Sequence, residues 1–300
     1  MSDSLYTLDP AVVAELDALP AQPVLLYALD GHIDSGMVAG LVISDLIEDG
    51  QAKRLATFDT DQLINYRSRR PPMVCGQDGW AAYGRPELVI GVVEDMSGTP
   101  FLVLYGPEPD LKWEAFAQSV LEIVELLDVR LALGIHGNAR MVPHTRPPAV
   151  HGPAHIEESD AQYLGIDARL HAPGSAMSMV EFHLRKVERP AQTLLADVPT
   201  YLAGVPYARA AVAMVEAINE ASGLQLATER LTEAAMLSDE RLESEVTRVG
   251  GDLSRTVKEL EQRFDKLHST RSAPPQAAAS QLVKDIEAYL AEQPSSSTEG

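Results

Sequence analysis

The hydrophobic positions along the chain fall into short unbroken runs and into helical repeats, and the two kinds alternate. Residues 23–29 (PVLLYAL) form a continuous apolar run closed by Asp30 and Gly31, as expected of a strand buried on both faces. The stretch 36–47 then predicts a helix with small residues where it approaches the sheet, and Asp34 or Ser35 is placed to cap it. Residues 55–58 read as a second short strand. Residues 87–93 (ELVIGVV) and 100–105 (PFLVLY) predict a hairpin turned through 95–99, so the sheet is mixed. Asp110 is placed to cap a helix whose Trp113, Phe116, Val120, Leu121, Val124 and Leu127 recur at 3.6-residue spacing. Residues 130–136 (RLALGIH) are the next buried strand. Strands alternating with helices imply a layered α/β core.

From 137 to 155 the pattern stops, and a long proline-rich loop directly follows a strand. A further strand is expected near 167–170, a helix opened by Gly174 and Ser175 and ending before Pro190, and another helix over 207–221. From Leu231 onward, Leu242, Val246, Val249, Leu253, Val257, Leu260, Phe264 and Leu267 step by three and four, with Gly250 and Gly251 interrupting: a helical pair or a kinked helix with a narrow apolar stripe. The organisation read from these patterns is an N-terminal arm (1–22), an α/β core (23–230) and a helical extension (231–268). Residues 269–300 complete it as a linker, a short amphipathic helix with Leu282, Val283, Ile286, Tyr289 and Leu290 on one face, and a polar tail.

Charge narrows the function classes. The 300 residues carry 44 Asp and Glu against 24 Lys and Arg, a formal net charge of -20. Such a surface repels phosphate backbones and anionic lipids, which argues against nucleic acid or a membrane as partner. The first Lys or Arg is Lys53, so the start of the chain lacks the positive charge of an export signal or a mitochondrial presequence, and no apolar run reaches the roughly 20 residues that span a bilayer. The single cysteine, Cys75, agrees with a reducing compartment, and the cytoplasm is the expected location.

Against that acidic background the candidate chemistry is sparse. Gly31-His32-Ile33-Asp34-Ser35-Gly36 has the outer glycine spacing of a phosphate-binding loop, but Met37 and Val38 stand where lysine and a hydroxyl residue belong. A helix N-terminus there can still bind an anion; alternatively the glycines only allow a tight turn and close packing. Arginines gather at Arg67, Arg69 and Arg70 and again at Arg140 and Arg146, in segments read as loops. They suit a carboxylate, a phosphate or an acidic segment of a partner chain, or they pair with the chain's own acids. His144, His151 and His155 invite a metal reading, but Gly152 and Pro153 deny the helix that would align the last two. Cys75 has no local motif, and Ser175 lacks a nucleophile-elbow frame and reads as a helix cap. Asp59 and Asp61 are close enough to share a proton or an ion. No catalytic set is complete, and no cofactor or metal is expected.

Taken in order, Gly31 to Ile47, the segment Phe58-Asp59 through Asn65-Tyr66-Arg67 to Pro71, Leu104 to Pro109 with Trp113 and Phe116, His144 to Pro147 and Asp197 to Leu202 resemble the PAC2 family, named for proteasome assembly chaperone 2. The resemblance covers roughly 23–236, and the arginine- and alanine-rich composition is similar to the actinobacterial branch. It implies a three-layer αβα sandwich similar to the phosphorylase/hydrolase-like fold of purine nucleoside phosphorylases, with a C-terminal helical extension. In the phosphorylases the loop after the first strand helps bind phosphate, and the matching place is Gly31 to Gly36. Eukaryotic relatives bind proteasome α subunits. Two expectations follow. The first is a non-enzymatic protein-binding or assembly factor, with proteasome subunits as partners and self-association as a dimer or trimer. The alternative is an enzyme or sensor holding an anionic or nucleoside-like ligand between Gly31, His32, Asp34, Ser35, Gly36, Arg69, Arg70 and Arg146, with Asp59, Tyr66 and His144 as secondary candidates.

Overall fold

The computed structural model describes residues 4–17, 22–31, 33–48, 52–152 and 173–271. His32, His155, the strand expected near 167–170 and the helix over 281–292 lie outside them. The apolar run after Pro23 is strand β2 (Val24–Tyr27), which lies parallel to both β7 (Pro100–Tyr105) and β8 (Leu131–Arg140) at the middle of the main sheet. β6 (Val89–Glu94) pairs antiparallel with β7, then β3 (Lys53–Phe58) with β6 and β1 (Tyr6–Leu8) with β3. On the other side β10 (Ala191–Pro199) runs parallel to β8, and the two-residue β9 (Val150–His151) closes the edge antiparallel to β10. The sheet is therefore mixed, in the order β1-β3-β6-β7-β2-β8-β10-β9.

Alternation along these strands divides the core into two layers, because successive side chains leave a strand on opposite faces. Leu25, Tyr27, Leu102, Leu104 and Ala132 pack under helices α1 (Pro10–Asp17), α4 (Trp113–Leu126) and α5 (Ala176–Lys186). Val24, Leu26, Phe101, Val103, Leu133, Ile135, Ala196 and Val198 pack under α2 (Val38–Ile47) and α6 (Ala208–Ser222). This is the expected αβα sandwich. Both faces of the central strands are buried, which is why they read as unbroken apolar runs.

Several elements depart from the sequence reading. The N-terminal segment is part of the sheet: β1 adds an edge strand, and Leu5, Val12 and Leu16 are buried in the α4 and α5 layer. β8 continues through the predicted loop to Arg140, and β10 was not anticipated because Thr193 and Asp197 interrupt its apolar run. Asp110 is not the cap of α4. Lys112 holds that position with φ 57°, while the Asp110 carboxylate is engaged by Arg69 and by the Asn65 N–H. A separate hairpin of β4 (Met73–Gly76) and β5 (Gly79–Tyr83) stands between β3 and β6 in the chain. Asp78-Gly79 between Met73-Val-Cys and Trp80-Ala-Ala-Tyr83 is the turn signal that would have found it.

The helical pair is present as α7 (Glu229–Val249) and α8 (Gly251–Arg271), separated where Gly250 and Gly251 take φ near +55°. Between β3 and the hairpin lies a one-turn helix, α3 (Thr60–Leu63). The chain divides into two compact units inside α7, Met1–Glu245 and Val246–Gly300. In the first unit the start of α7 is tied down by Leu231, buried in the α2 and α6 layer, and by Arg230, whose Nε lies 2.9 Å from Asp45 Oδ1. Among the described residues no helix is long and apolar enough to cross a membrane.

Candidate functional site

The loop after β2 is built on Asp34. Its Oδ1 accepts hydrogen bonds from the Gly137 N–H (2.8 Å) and the Ala39 N–H (3.1 Å), and its Oδ2 accepts from the Gly40 N–H (3.1 Å). One carboxylate thereby caps α2 and pins it to the carboxyl end of β8. Gly137 is required for this approach: a Cβ there would lie 1.8 Å from the Ser35 carbonyl oxygen. Gly36 sits at φ 69°, and its N–H and C=O bond the Ala203 carbonyl and the Tyr207 N–H. Ser35 and Gly36 are buried. The tight-turn and close-packing reading of these glycines accounts for their positions.

Arg69 lies beside this loop. A Cβ on Gly31 would meet Arg69 Nη1 at 3.3 Å. The guanidinium is committed elsewhere, however: Nη2 donates to Asp110 Oδ1 (2.6 Å) and to the Glu108 carbonyl (2.5 Å), and Nε donates to the same Asp110 oxygen (3.2 Å). Glu108 Oε1 in turn accepts from the Ala176 N–H (2.7 Å) at the start of α5. Arg69 thus fastens the loop after α3 to the α4 and α5 layer, with one of the chain's own acids as its partner.

Beside the loop lies a cleft of ≈ 530 Å³ lined by Asp30, Gly31, Asp34, Met37, Ser44 and Tyr105 among others. Among the described residues its charged lining residues are Asp30 and Asp34. Burial raises the Asp30 carboxyl above the ordinary carboxylate value, Asp34 pushes it the same way, and Arg69 offsets part of the rise. Two carboxylates in the described lining disfavour an anion there, and Arg69 beside Gly31 offsets part of that charge.

The remaining candidates separate. Arg70 and its neighbour Arg67 are exposed and have no ion-pair partner among the described residues. Arg146 donates to the carbonyl and hydroxyl oxygens of Thr145 in its own loop. His144 is buried, with Nδ1 2.7 Å from the Tyr201 hydroxyl, and its carbonyl accepts from Arg209 Nη1 (3.1 Å). Asp59 caps α3 through the Asp61 N–H (3.1 Å) and also accepts from Gln62 Nε2, while Asp61 accepts from the Tyr66 hydroxyl (2.7 Å), so the two carboxylates have different partners. His32 lies outside the described residues.

In the sequence Asp197 stands out only as the start of a family-like segment and not as a site candidate. This buried carboxylate near the carboxyl end of β10 lies 3.0 Å from His151 Nε2 and 3.8 Å from Arg140 Nε, and its Oδ1 has no hydrogen-bond partner among the described residues. Three separate strands, β8, β9 and β10, bring these residues together, so no local spacing announces them. Among the described residues no group of three or more His, Cys, Asp or Glu side chains is placed to hold a metal ion.

Known proteins resemble the chain over most of its length. The model of the PAC2 family matches residues 28–246. A crystal structure of a Corynebacterium glutamicum protein of unknown function is 30% identical, with a TM-score of 0.76 over 88% of this chain and 97% of that one. A proteasome-assembly chaperone homologue from Mycobacterium tuberculosis is 22% identical (TM-score 0.66; 78% of this chain, 99% of that one). An archaeal proteasome activator from Pyrococcus furiosus shares the fold at 17% identity (TM-score 0.53; 80% of this chain, 98% of that one). No curated protein matches the chain. Since the family model covers 28–246, from the Asp34 loop and the Arg69 anchor through β10 and α6 into α7, the chain belongs to the PAC2 family.

Proposed function

We propose that this PAC2 protein is a non-enzymatic, cytoplasmic protein-binding factor that engages proteasome components and works as a self-associated dimer or trimer. The observation that carries the reading is the fate of the three neighbouring arginines. Arg69 is consumed by Asp110 and Glu108, whereas Arg67 and Arg70 stand in solvent without an ion-pair partner among the described residues, in a chain of net charge -20. Cations held outward in a loop meet a large acidic surface more readily than a small anion, which needs an enclosed site. The cleft nearby is walled by acids, which speaks against the small-anion alternative. The names of two structural relatives, a proteasome-assembly chaperone homologue and a proteasome activator, point to the proteasome as the source of that surface.

The test combines purified core-proteasome α and β subunits of the host cell with this protein. A stable complex or an altered rate of ring assembly is expected, weakened by added salt and by Arg67→Glu with Arg70→Glu. If wild-type protein neither forms a complex with these subunits nor changes their assembly, the proposal fails.

A further inference from the structure

The β4–β5 hairpin is the least covered part of the described protomer: all nine of its strand residues are exposed. Cross-strand pairing sets Met73 opposite Tyr83 and Cys75 opposite Trp80. Paired residues share a face, 73 and 75 share one by alternation, and the register shift between the Val74 and Cys75 pairs takes up the odd spacing from Trp80 to Tyr83, so Met73, Cys75, Trp80 and Tyr83 lie on one apolar face. Val74 and Ala82 occupy the other. Trp80 is 70% exposed, Val74 59%, Tyr83 53% and Met73 51%. Trp and Tyr in this state are the residue types that anchor protein interfaces.

We propose that this hairpin is the self-association surface of the protein and that its occupant is a second copy of the same chain. The inference rests on the self-association included in the proposed function and names the surface that performs it. Two physical arguments select the occupant. A two-stranded hairpin wetted on both faces is marginal by itself, so its cover has to be present whenever the protein is folded. A second copy meets that condition at the protein's own concentration, whereas a client does not. The second argument is charge. Copies of net charge -20 repel, and they can meet only where the surface is neutral or positive. From Arg67 to Arg85 the chain carries four arginines against one acid, Asp78, and the strands of the hairpin carry no charge at all. Arg85 is exposed and, like Arg67 and Arg70, has no ion-pair partner among the described residues. An uncharged apolar face flanked by Arg85 is thus a place where another copy of net charge -20 can be met without repulsion.

The test uses the full chain without any client. Sedimentation velocity and light scattering should give a mass above the 32.5 kDa of one chain for wild type and the single-chain mass for Trp80→Glu with Tyr83→Glu. Circular dichroism of that variant should show the α/β core retained, because both side chains are exposed in the protomer, while its melting temperature falls by the stabilisation that association supplies. Cys75 is the chain's one cysteine and stands on the same face, so a nitroxide placed there reports cover directly. Its spectrum should be immobilised in wild type and mobile in the double variant. A wild type that stays at single-chain mass with a mobile label overturns the proposal, as does a double variant that keeps the wild-type mass. Mass and label mobility are read without proteasome subunits, so either failure leaves the client-binding reading to its own experiment.

Discussion

Replacing Asp34 by alanine separates a structural carboxylate from a ligand-binding one. The side chain accepts three backbone hydrogen bonds, two that cap α2 and one from the Gly137 N–H at the carboxyl end of β8. Loss of a cap costs about 1 kcal/mol, and an orphaned N–H in a buried position costs about 1–3 kcal/mol. Asp34 itself is half-buried and water can reach part of the vacated space, which places the sum at roughly 2–3 kcal/mol. For a unit of this size that is a fall in melting temperature of roughly 5–10 °C. Asp34→Asn keeps Oδ1, the acceptor for Ala39 and Gly137, and loses only the Gly40 bond, so it should cost about 1 kcal/mol. Differential scanning calorimetry of the three proteins at neutral pH reads the order directly. A ligand-binding carboxylate predicts the opposite, since relief of its repulsion with Asp30 would make alanine neutral or stabilising. An alanine variant that melts at or above wild type would refute the capping argument.

Gly137→Ala should destabilise by about 3 kcal/mol or more, because the new Cβ meets the Ser35 carbonyl oxygen at 1.8 Å, whereas Gly79→Ala in the exposed hairpin turn, with nothing within 4 Å among the described residues but a φ of +114°, should cost only about 1 kcal/mol; chemical denaturation of both compares them. Asp110→Ala removes both the partly exposed partner of Arg69 and the acceptor of the Asn65 N–H, so it should cost about 1–2 kcal/mol and speed tryptic cleavage after Arg69 by loosening the loop. For Asp30, whose carboxyl is raised in the folded state, ionisation at neutral pH disfavours the native protein, and the native state regains that stability as pH falls through the raised value. Asp30→Asn should therefore raise the melting temperature at pH 7 and lose its advantage in acid; an advantage independent of pH would contradict the assignment.

How much of this was legible beforehand follows from where the information lies. β2, β6 and β7, the first part of β8, and helices α2, α4, α5 and α6 announce themselves because each buries a face or both faces locally, and burial writes itself into the sequence as a run or a 3.6-residue repeat. β10 does not, since Thr193 and Asp197 serve one side of the sheet while Leu194, Ala196 and Val198 serve the other. The β4–β5 hairpin buries none of its strand residues against the protomer, so it leaves a turn signal but no amphipathic pattern. Asp34 was legible as a cap, but not as the acceptor for Gly137, which is 103 residues away.

By itself the sequence determined the α/β class, the acidic surface, the break between the two long helices and an ordered set of segments similar to PAC2 proteins. These are properties of composition, local periodicity and residue order. Tertiary structure alone decided what each charged residue is for. Arg69 and Arg70 are neighbours in the chain, yet the folding of residues 108–110 onto the loop makes one an internal anchor and leaves the other in solvent. Likewise only the approach of β2 and β8 turns the glycine loop into a packed joint, and only the opening beside it shows acids where the pattern suggested an anion site. The physical reason is that hydrophobic burial is chosen residue by residue, whereas the partner of a charge is chosen by distance in space.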